Sequence, residues 1–267
     1  MAILSGLLTS ALSDAGLRAA VDAARAADTR AGETPAVQVE GPSAVRPLLA
    51  AGLAETSTVL AVTATDREAE DLAAAVSDLL GHGEAPGAAA DTVHDCAGAP
   101  VVVLPSWETL PHEKLSPRPD TVARRLTIFH RLSSAETAPR VVVTAARSLI
   151  QPVAPGLGTL APVTLAVGEE YDFEQLLVRL VELAYSRAEM VTTRGEFAVR
   201  GGILDIFPPT AEHPVRVEFW GDEVSEVRSF SVADQRSVGE VTRIDVPPCR
   251  ELLLTTPVRE RAGELAL

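Results

Sequence analysis

The chain has 267 residues, 46% of them hydrophobic, with a net charge of -14 and a pI near 4.8. That length accommodates two domains, or one large domain with an insertion, and the apolar content fills a core. The acidity argues against tight nucleic-acid binding by the chain alone, because a duplex is held mainly by Lys and Arg neutralising phosphates.

The amino terminus, Met1 to Ala15, lacks the basic start and unbroken apolar run of a signal peptide, and no later stretch reaches the roughly 20 apolar residues that span a bilayer. A cytoplasmic protein with no membrane partner is expected. Apolar positions at helical spacing predict a helix from about Ser10 to Ala27, followed by a Gly and Pro linker over Thr29 to Pro35. Ala36 to Val39 reads as a strand, Ser43 to Ala54 as a helix, Thr58 to Val62 as a strand and Asp66 to Leu80 as a helix. Gly81 to Ala99, rich in Gly, Ala and Asp, reads as a surface loop. Val101 to Leu104 is a further strand, Asp120 to Leu132 a helix and Val141 to Val143 another β-branched run. Alternating apolar strands and helices imply an α/β unit whose parallel sheet is covered on both faces.

After Ile150 the pattern changes. Two prolines and two glycines in Gln151 to Gly158 mark a boundary, and Tyr171 to Tyr185 forms one amphipathic helix. Glu189 to Val246 reads as strands joined by tight turns, with Gly221-Asp222 suited to a two-residue hairpin loop. This second unit is α+β with an antiparallel sheet. Pro247 and Pro248 close it, and the helical pattern from Glu251 to Leu267 stops without a cap, so the chain is expected to be cut from something longer.

In an α/β nucleotide-binding domain the first strand-to-helix turn carries glycines that bring backbone N–H groups to the phosphates, and a Lys. Here that turn is Val39-Glu40-Gly41-Pro42-Ser43-Ala44, where Pro42 removes a donor and Glu40 repels an anion. A plain strand-helix connection is the expectation, with no cofactor. Thr65 or Asp66 reads as a helix N-cap. His94, His112, His130 and His213 are scattered, Asp222 and Glu223 belong to a turn, and Asp205 is expected to pair across strands with an arginine. Cys96 and Cys249 sit in no Cys/His cluster, so neither a metal site nor a disulfide framework follows. No nucleophile-base-orienter set emerges, and no catalytic residue is assigned.

Two segments carry aromatic residues with contact potential. Around Trp107 the sequence Leu-Pro-Ser-Trp-Glu-Thr-Leu-Pro-His-Glu-Lys-Leu-Ser-Pro is a proline-fixed loop, and Trp107 is either a contact or, as the gain from burial favours, a packing residue. Arginine supplies nearly all positive charge, Lys114 being the only lysine; a GC-rich coding sequence leaves the same signature, but the forked guanidinium suits carboxylates and stacking. From Arg194 to Trp220 the period of two puts Val215, Val217 and Phe219 on one face and Arg216, Glu218 and Trp220 on the other, with Arg200 on that second face of the neighbouring strand. Trp and Arg dominate the energetics of many interfaces, so Arg200, Arg216 and Trp220 form a candidate docking face. The competing reading has an arginine stacked on Trp220 to cover it and Arg216 and Glu218 in weak surface pairs.

The run from Arg194 through Val224, the later Ser-Phe-Ser-Val-Ala-Asp-Gln-Arg-Ser, and Leu-Pro-Ser-Trp-Glu-Thr-Leu-Pro-His-Glu closely resemble the amino-terminal region of bacterial transcription-repair coupling factors (Mfd), and more loosely UvrB. The resemblance spans roughly Val59 to Arg250, and the arginine-rich composition is similar to that of actinobacterial members. It implies a UvrB-like α/β domain with a degenerate nucleotide site over 1–160, an inserted UvrA-binding α+β domain over 161–248, and the start of a returning segment over 249–267. It also implies that Arg200, Arg216 and Trp220 contact UvrA; some members have Phe at the Trp220 position. In full length the family is an ATP- and Mg-dependent DNA translocase that displaces stalled RNA polymerase, with a carboxy-terminal domain that masks the UvrA surface at rest. The alternative is a UvrB-like domain that itself binds nucleotide or damaged DNA.

Overall fold

The computed structural model describes residues 3–26, 37–81, 98–110, 113, 115–253 and 256–265. The fold is mixed α/β, with one parallel sheet, one two-stranded antiparallel sheet and one six-stranded sheet that is antiparallel but for a short parallel edge pair, and the chain divides into two compact units: Met1–Ser106 with Arg131–Pro152, and Trp107–His130 with Val153–Leu267. Cys96, His94 and His112, and nearly all of the expected Gly81 to Ala99 loop, lie outside the described residues.

The first unit opens with two helices, α1 (Ile3–Ala11) and α2 (Ala15–Ala26), where one was expected. Asp14 divides them: its Oδ1 accepts from the Gly16 and Leu17 amides, both at 2.9 Å, starting a new helix. Helix α3 (Val45–Leu53) follows residues 37–40, which are exposed and form no strand, correcting the expectation for Ala36 to Val39. Those residues pair with no ladder among the described strands, so β-propensity alone does not extend the sheet. Strands β1 (Val59–Thr63), β2 (Val101–Leu104) and β3 (Val141–Ala145) form a parallel sheet in the order β1-β3-β2. Helix α4 (Asp66–Leu79), capped by Thr65 Oγ1 accepting from the Glu68 amide at 3.2 Å, buries Ala69, Ala73, Val76 and Leu79 against Val101, Val141 and Val143. Coverage on both faces fails at β1, where Leu60 and Val62 are about half exposed.

Helix α5 (Pro119–Leu132) carries the chain out of the second unit, and the short α6 (Ala146–Leu149) follows β3. In the second unit β4 (Val163–Ala166) pairs antiparallel with β11 (Arg243–Val246). Helix α7 (Phe173–Glu182) is capped by Asp172, whose Oδ1 accepts from the Gln175 amide at 2.9 Å. It ends at Glu182, short of Tyr185, because Ala184 takes a left-handed conformation, φ 66°. A six-stranded sheet follows: β5 (Ser186–Arg187), β6 (Glu196–Arg200), β7 (Ile203–Ile206), β8 (Val215–Trp220), β9 (Glu223–Phe230) and β10 (Ser237–Glu240), neighbours in chain order. Its inner face, with Phe197, Leu204, Ile206, Val217 and Val227, packs on Leu176 and Leu180 of α7 and on Leu165 and Ile244. Helix α8 (Thr256–Leu265) ends the described chain.

Trp107 packs rather than projects. Its Nε1–H donates to Glu251 Oε1 at 3.0 Å, and the fully buried Arg125 guanidinium lies 5.2 Å from its ring while pairing with the same carboxylate at 2.6 Å. Burying a cation costs heavily unless a carboxylate accompanies it. Glu251→Ala is therefore expected to destabilise the protein by roughly 3–5 kcal/mol, read as a lower urea midpoint, and an unchanged midpoint overturns this account.

Glu196 organises the loop before β6. Burial alone would raise its carboxyl, but the amides of Thr192 and Thr193, each 2.9 Å away, outweigh burial and hold it below its ordinary value. A depressed folded pKa contributes stability that is present above the unfolded value and disappears as pH falls through the folded one. The stability difference between wild type and Glu196→Gln should accordingly be largest near neutral pH and close as the carboxylate range is crossed; a difference independent of pH contradicts the assignment.

Candidate partner-binding face

The outer face of the six-stranded sheet is built by two hairpins whose turns lie at the same end. Gly201 and Gly202 join Arg200 to its cross-strand partner Ile203, and Gly221 and Asp222 join Trp220 to Glu223. Gly201 (φ 62°) and Gly221 (φ 65°) supply the left-handed conformations that two-residue loops need. Gly202 does a different job: the Phe219 amide donates to its carbonyl at 2.8 Å, and a Cβ on Gly202 would stand 2.9 Å from the Phe219 carbonyl oxygen. Because that neighbour is backbone, Gly202→Ala is expected to destabilise by about 1–3 kcal/mol and to displace Trp220; a melting temperature equal to wild type rules out this constraint.

Strand β8 alternates as the period of two predicts. Phe219 turns inward to meet the Phe173 ring edge-on, with centroids 4.9 Å apart, and Trp220 turns outward with 84% of its surface exposed. No arginine covers it: the cation-π contacts found among the described residues fall on Trp107, Phe129, Phe207 and Phe230. Arg200 is also exposed, and its Nη2 donates to the Glu189 carbonyl at 3.2 Å, so its charge faces solvent.

Arg216 shares the face but not the exposure. Its Nε–H and Nη2–H donate to the two oxygens of Asp205, at 2.6 and 2.8 Å, and its guanidinium carbon sits 4.9 Å from the Phe230 ring centroid. Asp205 is buried, and its hydrogen bond raises the Arg216 pKa above the ordinary value. The expected pairing of Asp205 with a cross-strand arginine is therefore present, and the partner is the residue directly opposite in the register. Glu218 pairs with Arg228 of β9, not with Arg216, and Arg228 also reaches Glu226 at 3.3 Å. The period of two in β9 places Glu226, Arg228 and Phe230 on this face, and that alternation is the sequence signal for Phe230, which the expected docking residues did not include.

Away from the turns the outer face closes over. Val191, Ala198 and Phe207 form a small buried cluster with Val232 packed against it. The open part is thus the turn end, bearing Arg200 and Trp220, and Arg216 lies at its margin.

In the first unit, the Gly41-Pro42-Ser43 turn leads into α3, whose first amides are taken up by the turn's carbonyls. The Val45 amide donates to the Pro42 carbonyl at 3.0 Å and the Arg46 amide to the Ser43 carbonyl at 3.1 Å. Beside it, Leu17, Ala20, Val39, Val45 and Leu48 line a largely apolar groove. His130 Nδ1 lies 3.0 Å from the Gly158 carbonyl, and His213 is 4.0 Å from Glu212. Among the described residues no group of three or more His, Cys, Asp or Glu is arranged to hold a metal ion, and no helix is long and apolar enough to cross a membrane. Cys249 is buried and its thiol is pushed up to about 12 by that burial.

Residues 163–252, from β4 to just beyond β11, match the family described as the UvrB interaction domain. The class is therefore a UvrB interaction domain joined to an α/β unit. Over 270 aligned residues, 96% of this chain, it is 49% identical to the transcription-repair-coupling factors of Mycobacterium tuberculosis and Mycobacterium bovis. The Bacillus subtilis factor of the same name is 39% identical over 166 residues, 61% of this chain and 14% of that protein. The chain belongs to the transcription-repair-coupling factors, as the amino-terminal region of the actinobacterial kind, and spans 20% of the length of its mycobacterial relatives.

Proposed function

We propose that this chain is a non-catalytic module that recruits UvrA through the open end of its six-stranded sheet, with Trp220 as apolar anchor and Arg200 and Arg216 as polar contacts. The observation that carries it is the 84% exposure of Trp220 on a rigid two-residue hairpin, inside the stretch that matches the UvrB interaction domain. A tryptophan buries about 200 Å² when covered, worth roughly 4–5 kcal/mol gross at 25 cal/mol per Å². That is anchor-sized, and folding of this chain does not use it.

The domain organisation proposed with it has a UvrB-like α/β domain at 1–160, an inserted UvrA-binding domain at 161–248 and a returning segment from 249. In this reading the Gly41-Pro42-Ser43 turn is a degenerate nucleotide site, supported by Pro42, which has no N–H to offer a phosphate, and by the commitment of the Val45 and Arg46 amides to the turn's own carbonyls. ATP and Mg belong to motor domains elsewhere in the full-length factor, an ATP-dependent translocase acting on double-stranded DNA that displaces stalled RNA polymerase in the cytoplasm. A carboxy-terminal domain of that factor covers the same sheet face at rest.

Titrating UvrA with the wild-type chain, Trp220→Ala and Arg200→Ala tests the recruitment reading. Trp220→Ala should weaken binding by on the order of 2 kcal/mol while leaving the melting temperature unchanged. Equal affinities for wild type and both variants sink the assignment. Binding of ATP or of damaged DNA by the wild-type chain at physiological salt favours a UvrB-like activity instead.

A further inference from the structure

Three arginines occupy the outer face, and two of them stand side by side. Arg216 and Arg228 are direct cross-strand partners in β8 and β9, an arrangement in which like charges repel. Each is offset by carboxylates on the sheet: Arg228 by Glu218 and Glu226, and Arg216 by Asp205 alone among the ion pairs it makes. The Asp205–Arg216 pair is the more deeply set, its side chains 3% and 22% exposed, against 30% for Arg228 and 31% for its Glu218 partner. A carboxylate in that position is held by geometry as well as charge, because the fork of the guanidinium matches both of its oxygens.

From this we infer that Asp205 is a positioning residue for partner binding: by occupying Nε and Nη2 of Arg216 and setting its plane beside Phe230, it leaves Nη1 as a fixed outward donor. This rests on the recruitment reading and deepens it. Arg216 then differs from Arg200 in kind. Its charge is already offset within the sheet, so it recognises the partner through one oriented hydrogen bond, whereas Arg200 keeps its charge for long-range attraction. A lysine at 216 retains the charge and loses the fork, and an asparagine at 205 retains the shape and loses the charge that offsets Arg216 beside Arg228.

The test is a titration of UvrA against the whole 267-residue chain carrying Asp205→Asn, Arg216→Lys, Arg216→Ala, Trp220→Ala, or Asp205→Asn combined with each alanine variant. Asp205→Asn and Arg216→Lys should each weaken binding by about 10- to 100-fold. Combined with Arg216→Ala, Asp205→Asn should add nothing further; combined with Trp220→Ala, its loss should add in full. A general loosening of the sheet would couple Asp205 equally to Trp220, and that result overturns the inference. Wild-type affinity for Asp205→Asn or Arg216→Lys, alongside a loss for Arg216→Ala, also overturns it and leaves the recruitment reading standing. If Asp205→Asn fails to fold, Arg216→Lys decides. Should the wild-type chain not bind UvrA, both readings fall together.

Discussion

The close approach of Gly202 to the Phe219 backbone is the constraint on which the candidate face depends. It locks the β6–β7 turn against the end of β8 through the 2.8 Å bond from the Phe219 amide to the Gly202 carbonyl. In a sheet whose side chains alternate, a slip of one residue exchanges faces. Here that slip would bring Phe219 out of its contact with Phe173 and drive Trp220 into the core. The ladder between β8 and β9 also shifts register at Glu218/Phe219, so that Phe219 faces Val224 while Glu218 faces Glu226. The irregularity is confined to β9, and β8 keeps its strict alternation up to the turn. Backbone geometry, more than any side-chain contact, therefore decides which aromatic is buried.

Once the register is fixed, the electrostatics of the outer face follow by position. Row by row from the closed end, Asp205, Arg216 and Arg228 stand abreast, then Arg200, Ile203, Glu218 and Glu226, then Trp220 with Glu223. In the first row Asp205 offsets Arg216, which lies against Phe230, and Arg228 is left to find its carboxylates in the row beyond. In the second, Arg228 reaches across to Glu218 and Glu226, leaving Arg200 hydrogen-bonded to a carbonyl and uncompensated by its own contacts. Surface ion pairs of this sort add little stability singly. Their effect is to order long side chains in advance, which removes part of the entropy cost that a partner would otherwise meet.

What the sequence made legible was whatever depends on period and local chemistry. Val215, Val217 and Phe219 against Arg216, Glu218 and Trp220 could be sorted by parity alone, as could the pairing of Asp205 with an arginine. Thr65 was readable as a cap because capping is a three-residue affair. Three failures share a cause, which is dependence on distant partners. Residues 37–39 have strand composition but, among the described residues, no neighbouring strand to complete a ladder. Trp107 could be assigned to packing, but its partners, Arg125 and Glu251, lie 18 and 144 residues away. Arg216 could be placed on the outer face, yet its partial burial rests on Asp205 and on Phe230 of the next strand, and pairing with either is fixed only by the register of the assembled sheet. The helix expected over Ser10 to Ala27 corresponds to α2, which starts later because Asp14 caps it, and α1 (Ile3–Ala11) lies almost wholly ahead of the expected start.

The exposure of Trp220 can be weighed against the rest of the fold. Both large aromatics at the turn end are within one residue of each other, and only Phe219 contributes to the core. A tryptophan left in water gains the chain nothing on folding and adds an apolar surface that favours association. Retaining it on a two-residue turn, where a mobile loop would let it fold back onto the sheet, keeps the ring presented at small conformational cost to binding. Rigid presentation combined with exposure is what an anchor requires, and core packing requires only the first. The same reasoning separates Trp220 from Trp107, whose indole N–H is satisfied by Glu251 and whose ring is covered by a buried guanidinium: one tryptophan is spent on the fold, and the other is left for a partner.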